Sequence, residues 1–525
     1  MGHDDVVPVR KAERRAGEKP MVRKTLTVAT TARAGKCALR GATAVIEYEA
    51  VAAAPIKFGT SGWRAIIADQ FTFANVRLAV AAVADHVLAH TKKPTLMVGC
   101  DPRFDSEAFV AEAAGVLSAR GIRVLVCEGF TPTPAIACEI LRRQVDGAIN
   151  FTASHNPAEY HGLKFSGADG APAMPEVTKD IEARAARLGG LGAVPAADPQ
   201  RAGAGDGIER VQCREPYLAR LRRLVRFAAL RKASHSFVCD ALHGCGAGYL
   251  DHVLKEEGVR VSAIRTERDV LFDGTGPDVS EENLRPLSEA VLHESGGATG
   301  LATDGDADRF GVVDADGKFV SPNHILALVY DYLVETRGWK LGVARSVATS
   351  HLLDAVARSY QLPVYETPVG FKYIGEYLKQ EKIALGGEES AGMTVNGHVP
   401  EKDGILACLL VAEMTAVRRA SLAEQLRGLF RKVGAEFWPI RANLRLTQEA
   451  QARALERLRE DPREFGGRPV ARLDRTDGLK MAFADGSWVL LRASGTEPIL
   501  RVYTEASTPE ASKQLLGSAQ RWIAA

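Results

Sequence analysis

Three times along this chain a short strand-like run ends abruptly in a polar loop. That recurrence limits the fold more than any other feature of the sequence. Residues 146–150 run into Phe151-Thr152-Ala153-Ser154-His155-Asn156-Pro157, and residues 299–303 into Asp304-Gly305-Asp306-Ala307-Asp308-Arg309. Residues 383–386 run into Gly387-Glu388-Glu389-Ser390. A strand that stops at polar residues leaves them at the carboxyl edge of a sheet, where open α/β folds hold ligands. Ahead of the first loop the period alternates between strand and helix. Residues 96–100 read as a strand, and a helix follows with Ser106 at its start and Phe109, Ala113, Val116 and Leu117 as its apolar stripe. Residues 123–127 are a strand and 134–143 a helix with Pro134 in its first turn. This β-α-β-α-β order belongs to a mixed or parallel sheet covered by helices.

The pattern repeats. Residues 238–241, 248–257, 259–264 and 282–294 read as strand, helix, strand and helix before the strand that feeds Asp304. A third unit opens with an amphipathic helix over 323–337. It continues with strands at 347–349, 364–366 and 383–386 and helices at 352–360 and 371–381. Asp403 reads as the N-cap of a helix over 404–418, with Lys402 just outside it. The last stretch has a helix at 448–460 and strands at 480–483 and 488–492 around the Asp485-Gly486 turn; a loop then leads into a strand at 500–505. The expected class is α/β: three related α/β units with mixed sheets and a smaller C-terminal α+β domain. The boundaries expected are 56–200, 201–318, 319–435 and 436–525, with a Gly/Ala/Pro-rich linker at 189–207.

Ser154 is the good nucleophile of the first loop, and Asn156-Pro157 stops that loop from continuing as a helix. A serine in a loop is most often a turn residue, so the second loop carries the weight. Asp304, Asp306 and Asp308 stand at i, i+2 and i+4, and can converge on a hard cation if the loop curls; Gly305 and Ala307 leave room for it. Oxygen-only ligands suit Mg²⁺ better than zinc. Arg309 beside them suits a phosphate oxygen through its planar fork. A solvated acidic turn is the other reading. Lys164 lies ten residues after Ser154 between apolar neighbours, as an edge-strand surface lysine or a functional amine. His243 reads as a structural loop histidine, with a catalytic role as the alternative.

The Ser154 and Asp304 loops together resemble those of the α-D-phosphohexomutases, the phosphoglucomutase/phosphomannomutase group. Gly387-Glu388-Glu389-Ser390 resembles that family's sugar-binding loop. Arg492-Ala493-Ser494-Gly495-Thr496-Glu497-Pro498 resembles its phosphate-binding loop. The four motifs stand in the family's order within a match from about residue 57 to the C-terminus. The resemblance implies a four-domain enzyme with its site in a central cleft, in which Ser154 carries a phosphoryl group. It implies His155, Lys164 (at the spacing of a general acid/base) and Arg64 (in the Gly-rich loop 57–64) as catalytic residues. One Mg²⁺ per chain would be held by Ser154, Asp304, Asp306 and Asp308. Substrate would be bound by Arg309, Gly370, Glu388, Ser390, Lys402, Arg492, Ser494, Gly495, Thr496 and Arg501. The expected activity interconverts glucose 1-phosphate and glucose 6-phosphate, with mannose phosphates as further substrates, through a hexose 1,6-bisphosphate. The loop 367–372 and the Glu388-Glu389-Ser390-Ala391-Gly392 form resemble phosphoglucomutases. Some dual-specificity members have a His after the sugar loop; Lys402 and His398 are the candidates to replace it. A phosphoglucosamine mutase and a Mg²⁺-dependent sugar phosphatase are the alternatives.

Composition adds limits. The net charge of +2 over 525 residues gives no reason to expect a nucleic-acid partner. The 8 cysteines form no C-x-x-C pair and fit a reduced, cytoplasmic setting. No apolar run approaches a membrane span. Residues 1–55 are expected to be a disordered basic extension, since basic residues dominate 10–40 with no hydrophobic period. A start at Met21 and an organelle-targeting segment are the alternatives there. A hexose phosphate is the expected partner, and the chain is expected to be a monomer or homodimer.

Overall fold

The structure is a computed structural model and describes residues 55–192, 194–195, 207–233, 235–493 and 499–524. The N-terminal extension, most of the expected linker, and Ser494, Gly495 and Thr496 lie outside these residues. The sheets and helices all belong to the unit Ile56–Ala525.

The first sheet contains β1 (Phe58–Gly59), β2 (Gly62–Ile66), β3 (Thr95–Cys100), β4 (Arg123–Cys127), β5 (Gly147–Phe151), β6 (Tyr160–Gly167) and β7 (Ile208–Val211). Their order is β1-β2-β6-β5-β3-β4-β7. The second sheet contains β8 (Ser236–Asp240), β9 (Val261–Ile264), β10 (Ala298–Thr303) and β11 (Phe310–Val313) in the order β11-β10-β8-β9. The third contains β12 (Gly342–Ser346), β13 (Val364–Thr367), β14 (Ile383–Glu388) and β15 (Gly392–Val395) in the order β15-β14-β12-β13. One arrangement therefore occurs three times: β6-β5-β3-β4, β11-β10-β8-β9 and β15-β14-β12-β13. Three parallel strands are followed by one that returns antiparallel. Each polar loop of the sequence is the turn from the third parallel strand into the returning one. The repeat is one of topology, and it delivers three loops from equivalent sheet edges.

The last unit has β16 (Trp438–Arg445), a small hairpin of β17 (Glu464–Phe465) and β18 (Arg468–Pro469), then β19 (Arg472–Asp474), β20 (Leu479–Ala482), β21 (Trp488–Ala493) and β22 (Ile499–Ala506). The main sheet runs β16-β22-β21-β20-β19 and is antiparallel throughout. Its two faces differ, as a period of two requires. Leu479, Met481, Val489, Leu491, Leu500 and Val502 build the core with residues of the helix Pro509–Ala524. Arg441, Lys480, Leu490, Arg492, Arg501 and Tyr503 alternate with them onto the other face, where Leu490, Tyr503 and Trp488 meet Val347 and Ala348 of the third unit.

Several expectations are corrected. The stretch 57–64 is a β-hairpin, with Arg64 inside β2, rather than a loop. Helix Pro175–Leu191 runs into the expected linker, and β7 pairs with β4, so the first sheet extends past the boundary expected at 200. Ser106 is the first residue of its helix, as expected, although Asp105 stands at the cap and the Ser106 hydroxyl lies 3.0 Å from His161 Nε2. The strand expected at 347–349 lies at β12, five residues earlier, and 347–349 is the turn after it. Arg345 sits buried inside β12 because Asp354 and Glu366 take its guanidinium, each at 2.6 Å. The helix Pro322–Arg337 is buried from Asn323 to Val334 on every side and is not amphipathic. With helix Gly404–Arg418, buried almost end to end, it packs against strands of both the second and third sheets. Asp403 caps the latter helix as expected, accepting from the Leu406 N–H at 2.8 Å. The seven described cysteines are buried and unpaired. Among the described residues no helix is long and apolar enough to cross a membrane.

Candidate active site

The Ser154 loop is held by its own carbonyls. Arg103 has no exposure, and its guanidinium donates to the carbonyl oxygens of Ser154 (2.7 Å), Asn156 (2.5 Å), Pro157 (2.8 Å) and Tyr160 (2.9 Å). Its Nε pairs with Asp101 Oδ2 at 3.1 Å. Asp101 also accepts the Thr152 hydroxyl at 2.6 Å, and Thr152 Oγ1 in turn accepts the Ser154 N–H at 2.8 Å. This frame keeps Ser154 at φ 53°, in the left-handed region a non-glycine residue rarely adopts. Sequence reading misses Asp101 and Arg103. The available signal is a charged pair directly after the end of β3. Arg103→Ala leaves Asp101 buried without its partner, which costs about 3–5 kcal/mol. The denaturation midpoint is expected to fall by a corresponding amount with little change in slope.

The acidic loop meets this loop closely. A Cβ on Gly305 would lie 2.6 Å from the Ser154 carbonyl oxygen, so only glycine allows the approach. Ser154 Oγ then donates to Asp304 Oδ2 at 2.7 Å. Asp304, Asp306 and Asp308 are fully buried, with carboxylate oxygens within 4.8 Å of one another. Lys164 Nζ donates to Asp306 Oδ2 at 2.5 Å and Asp308 Oδ2 at 2.7 Å, and Lys402 Nζ lies 2.9 Å from Asp308 Oδ2. The Thr133 hydroxyl donates to Asp306 as well. Burial and the two neighbouring aspartates push the Asp304 carboxyl well above the usual range. Against the same upward push of burial, Lys164, Lys402 and Arg309 hold Asp308 far below it. The Lys164 amine is lowered by burial, but Asp306 and Asp308 more than offset this, so it stays charged. It is an interior residue of β6, not an edge lysine.

Asp306 Oδ1 and Asp308 Oδ1 are buried with no hydrogen-bond partner. Buried acceptors left open in a ring of hard oxygens fit a divalent cation, so the triad could bind a metal.

In front of this core lies a cleft of about 360 Å³ lined from all four units. The first contributes Arg64, His155 and Asn156, the second Arg309, the third Glu388, Glu389, Ser390 and Lys402, and the last Arg441, Arg501 and Tyr503. Arg64 Nη1 donates to Asn156 Oδ1 at 2.6 Å. Burial and the Arg309 charge lower the Arg64 guanidinium to about 10. Burial and the charges of Arg309, Arg64 and Arg441 hold the His155 imidazole well below its ordinary value, hence neutral. The Arg309 N–H donates to Asp304 Oδ1 at 3.0 Å, and its guanidinium lies 3.8 Å from Asp278 and 3.9 Å from Asp308. Burial and the Glu389 charge raise the Glu388 carboxyl to about 7. Glu388 Oε1 accepts from the Gly370 N–H at 2.7 Å, while Glu389 Oε2 accepts from the hydroxyls of Ser346 (2.9 Å) and Thr349 (3.4 Å).

Most of the expected site residues thus meet in one place, and some do not. Arg492 lines an adjoining recess of about 510 Å³, which shares Arg501 and Thr60 with the cleft. Its Nε lies 2.8 Å from Asp477 Oδ1, an ion pair without good hydrogen-bond alignment. His398 cannot replace the absent cleft histidine: it is buried between Asp403 Oδ2 (2.7 Å) and Arg220 (3.2 Å). Lys402 does line the cleft. His243 does not line the cleft; its ring nitrogens meet Glu267 O and Asp273, each at 2.9 Å. Ser494, Gly495 and Thr496 lie outside the described residues. Sequence reading misses Arg441 and Tyr503, which the alternation of β16 and β22 aims the same way as Arg501.

Family models match the chain in four successive stretches. They are phosphoglucomutase/phosphomannomutase alpha/beta/alpha domain I at residues 55–189, domain II at 215–317 and domain III at 321–433, and the C-terminal domain at 442–518. The chain is 29% identical to a phosphoglucomutase/phosphomannomutase of Thermococcus kodakarensis, over 87% of this chain and 96% of that one. It is 30% identical to phosphoglucomutase-1 of Macaca fascicularis, over 81% and 85%. A crystal structure from Thermus thermophilus, provisionally named as a phosphomannomutase, superposes with a TM-score of 0.78. That chain is 33% identical, with 90% of this chain and 100% of that one covered.

Proposed function

The chain belongs to the phosphoglucomutase/phosphomannomutase family of phosphotransferase mutases, and from that premise we propose that it interconverts glucose 1-phosphate and glucose 6-phosphate through a phosphorylated Ser154 and a hexose 1,6-bisphosphate. The observation that carries this reading is one cleft lined both by cations of the first, second and last units and by acids of the third. A hydrolase needs one phosphate site. A mutase must hold the idle phosphate while the other reacts, and must present the sugar in either orientation.

Each residue then has a task. The Arg103 frame holds Ser154 in line, and the phosphoryl group passes from its Oγ to the free sugar hydroxyl, giving the bisphosphate. The bisphosphate turns over and returns its other phosphate to Ser154. A Mg²⁺ held by Asp304, Asp306, Asp308 and Ser154 would supply positive charge that stabilises the transferring phosphoryl group. Lys164, held charged between Asp306 and Asp308, would act as the acid once a cation on those aspartates weakens their hold on its proton: it would give a proton to Ser154 Oγ as the phosphoryl group leaves, and the proton of the attacking sugar hydroxyl would restore it. Arg64 and Arg309 face the reacting phosphate and Arg441 and Arg501 the idle one, which Arg492 reaches from the adjoining recess. Glu388 and Ser390 hold the hydroxyls of the sugar. Lys402 is the cleft cation that replaces the histidine of dual-specificity relatives.

Rates on glucose, mannose and glucosamine 1-phosphate with trace hexose bisphosphate test the proposal. The highest kcat/KM is expected on glucose 1-phosphate. Release of inorganic phosphate without isomerisation overturns the mutase reading.

The pH dependence has a sign. A carboxyl at about 7 is protonated below that pH and cannot then accept hydrogen bonds from sugar hydroxyls with both oxygens. Affinity for hexose phosphate is expected to rise as pH increases through 7, beyond the part due to the ligand's own ionisation. Glu388→Gln should leave only that ligand part. Ionising a buried carboxyl raised above its unfolded value also works against folding. Wild type should therefore lose stability relative to Glu388→Gln as pH climbs from about 4.5 through 7. Parallel titrations of the two proteins check both effects.

A further inference from the structure

Two consecutive backbone N–H groups in the turn after β13 point to different units. The Val369 N–H donates to Asp477 Oδ2 at 3.0 Å, and the Gly370 N–H donates to Glu388 Oε1 at 2.7 Å. The other oxygen of Asp477 lies 2.8 Å from Arg492 Nε. One carboxylate of the last unit therefore touches both Arg492, assigned above to the idle phosphate, and the turn that braces Glu388, assigned above to the sugar. Its own seat is tight. Gly478 has φ 104°, and a Cβ there would lie 2.4 Å from the Leu491 carbonyl oxygen and 3.2 Å from the Arg492 Cα. Asp477 thus sits on a turn pressed against the strand of Arg492.

We propose that Asp477 is a positioning residue that couples the grip of Arg492 on the idle phosphate to the placement of Glu388 on the sugar. The coupling rests on the functional reading above and adds a route to it. Both Asp477 oxygens are engaged, so an anion that draws Arg492 forward also draws on the carboxylate. The next link is Val369, whose Cα joins the two peptide planes that carry these N–H groups, so only the φ and ψ of one residue separate them and, with both N–H groups held, a shift at one displaces the other. Sugar contacts and phosphate contacts then form together, and neither alone gives the full affinity. The competing idea is that Asp477 is only a counter-charge that phosphate displaces from Arg492. In that case its loss acts on every anion alike.

Calorimetry with glucose 6-phosphate and with inorganic phosphate separates the two, on wild type, Asp477→Ala and Asp477→Asn of the full chain. Asparagine keeps an oxygen to accept from the Val369 N–H and loses the charge; alanine loses both. Alanine is expected to weaken glucose 6-phosphate at least about tenfold more than inorganic phosphate, within the range of couplings between contacting groups. Asparagine keeps the hold on the Val369 turn but loses the pull of Arg492, so its ratio of the two affinities should lie between those of wild type and the alanine variant. Equal losses for both ligands in the alanine variant, or an asparagine variant that matches it, overturn the coupling. Thermal melts of both variants show that the fold is intact. A wild-type chain that binds inorganic phosphate and no hexose phosphate overturns the functional reading, and the coupling with it.

Discussion

Ser154→Ala is expected to lower mutase turnover by roughly a millionfold, to background, the scale seen when the nucleophile of a covalent mechanism is removed. The loss should be this large because no other group can substitute. His155 Nδ1 is 3.5 Å from Ser154 Oγ, but its imidazole lies in the field of four arginines, and the next loop residues are Asn156 and Pro157. The fold should survive. Ser154 Oγ gives one side-chain bond to Asp304, whereas the backbone of the loop is held by Arg103 and Thr152. Binding of glucose 1,6-bisphosphate should persist, since it uses the cations of the cleft. Rapid-quench turnover beside a binding isotherm separates the two quantities. Retained turnover would move the nucleophile elsewhere.

Asp306→Ala should cost about a hundredfold to a thousandfold in kcat, the scale of one preorganised electrostatic contact. Asp306 carries more than its share of the site. Its Oδ2 takes both Lys164 and the Thr133 hydroxyl, and its Oδ1 is one of the two open buried oxygens of the triad. Alanine therefore removes a metal ligand and half of the hold on Lys164. In wild type, chelation should abolish turnover, and Mg²⁺ should restore it. In Asp306→Ala the Mg²⁺ needed for half-restoration should rise. Full activity of wild type in excess chelator would remove the metal from the account.

The polar loops are legible because their chemistry is local. Ser154, the three aspartates and Glu388 each sit at or just past a strand end, and a strand end can be read from composition. What supports them cannot be read that way. Arg103 works on backbone carbonyls, which leave no mark in the sequence, and its carbonyl partners lie more than fifty positions away. Arg345 looks like a strand breaker until Asp354 and Glu366 are brought to it, so the sequence places β12 five residues late. In the helix Pro322–Arg337 the polar positions suggest a wet face. They are paired instead: Asn323 with the Ser350 N–H, His324 with the Phe437 carbonyl, and Asp331 with Arg418 and Lys432. The last unit's arginines share a face by alternation alone, yet which face meets the cleft depends on packing against Val347 and Ala348.

The most direct measurement is the fate of a labelled phosphate. The full chain is incubated with glucose 1,6-bisphosphate labelled in both phosphates and freed of excess ligand. The label is mapped by peptide mass spectrometry. At most one label per chain is expected, all of it on Ser154, and it should discharge onto added glucose 1-phosphate or glucose 6-phosphate as the bisphosphate. Label on any other residue, or discharge only as inorganic phosphate, would contradict phosphoryl transfer through Ser154.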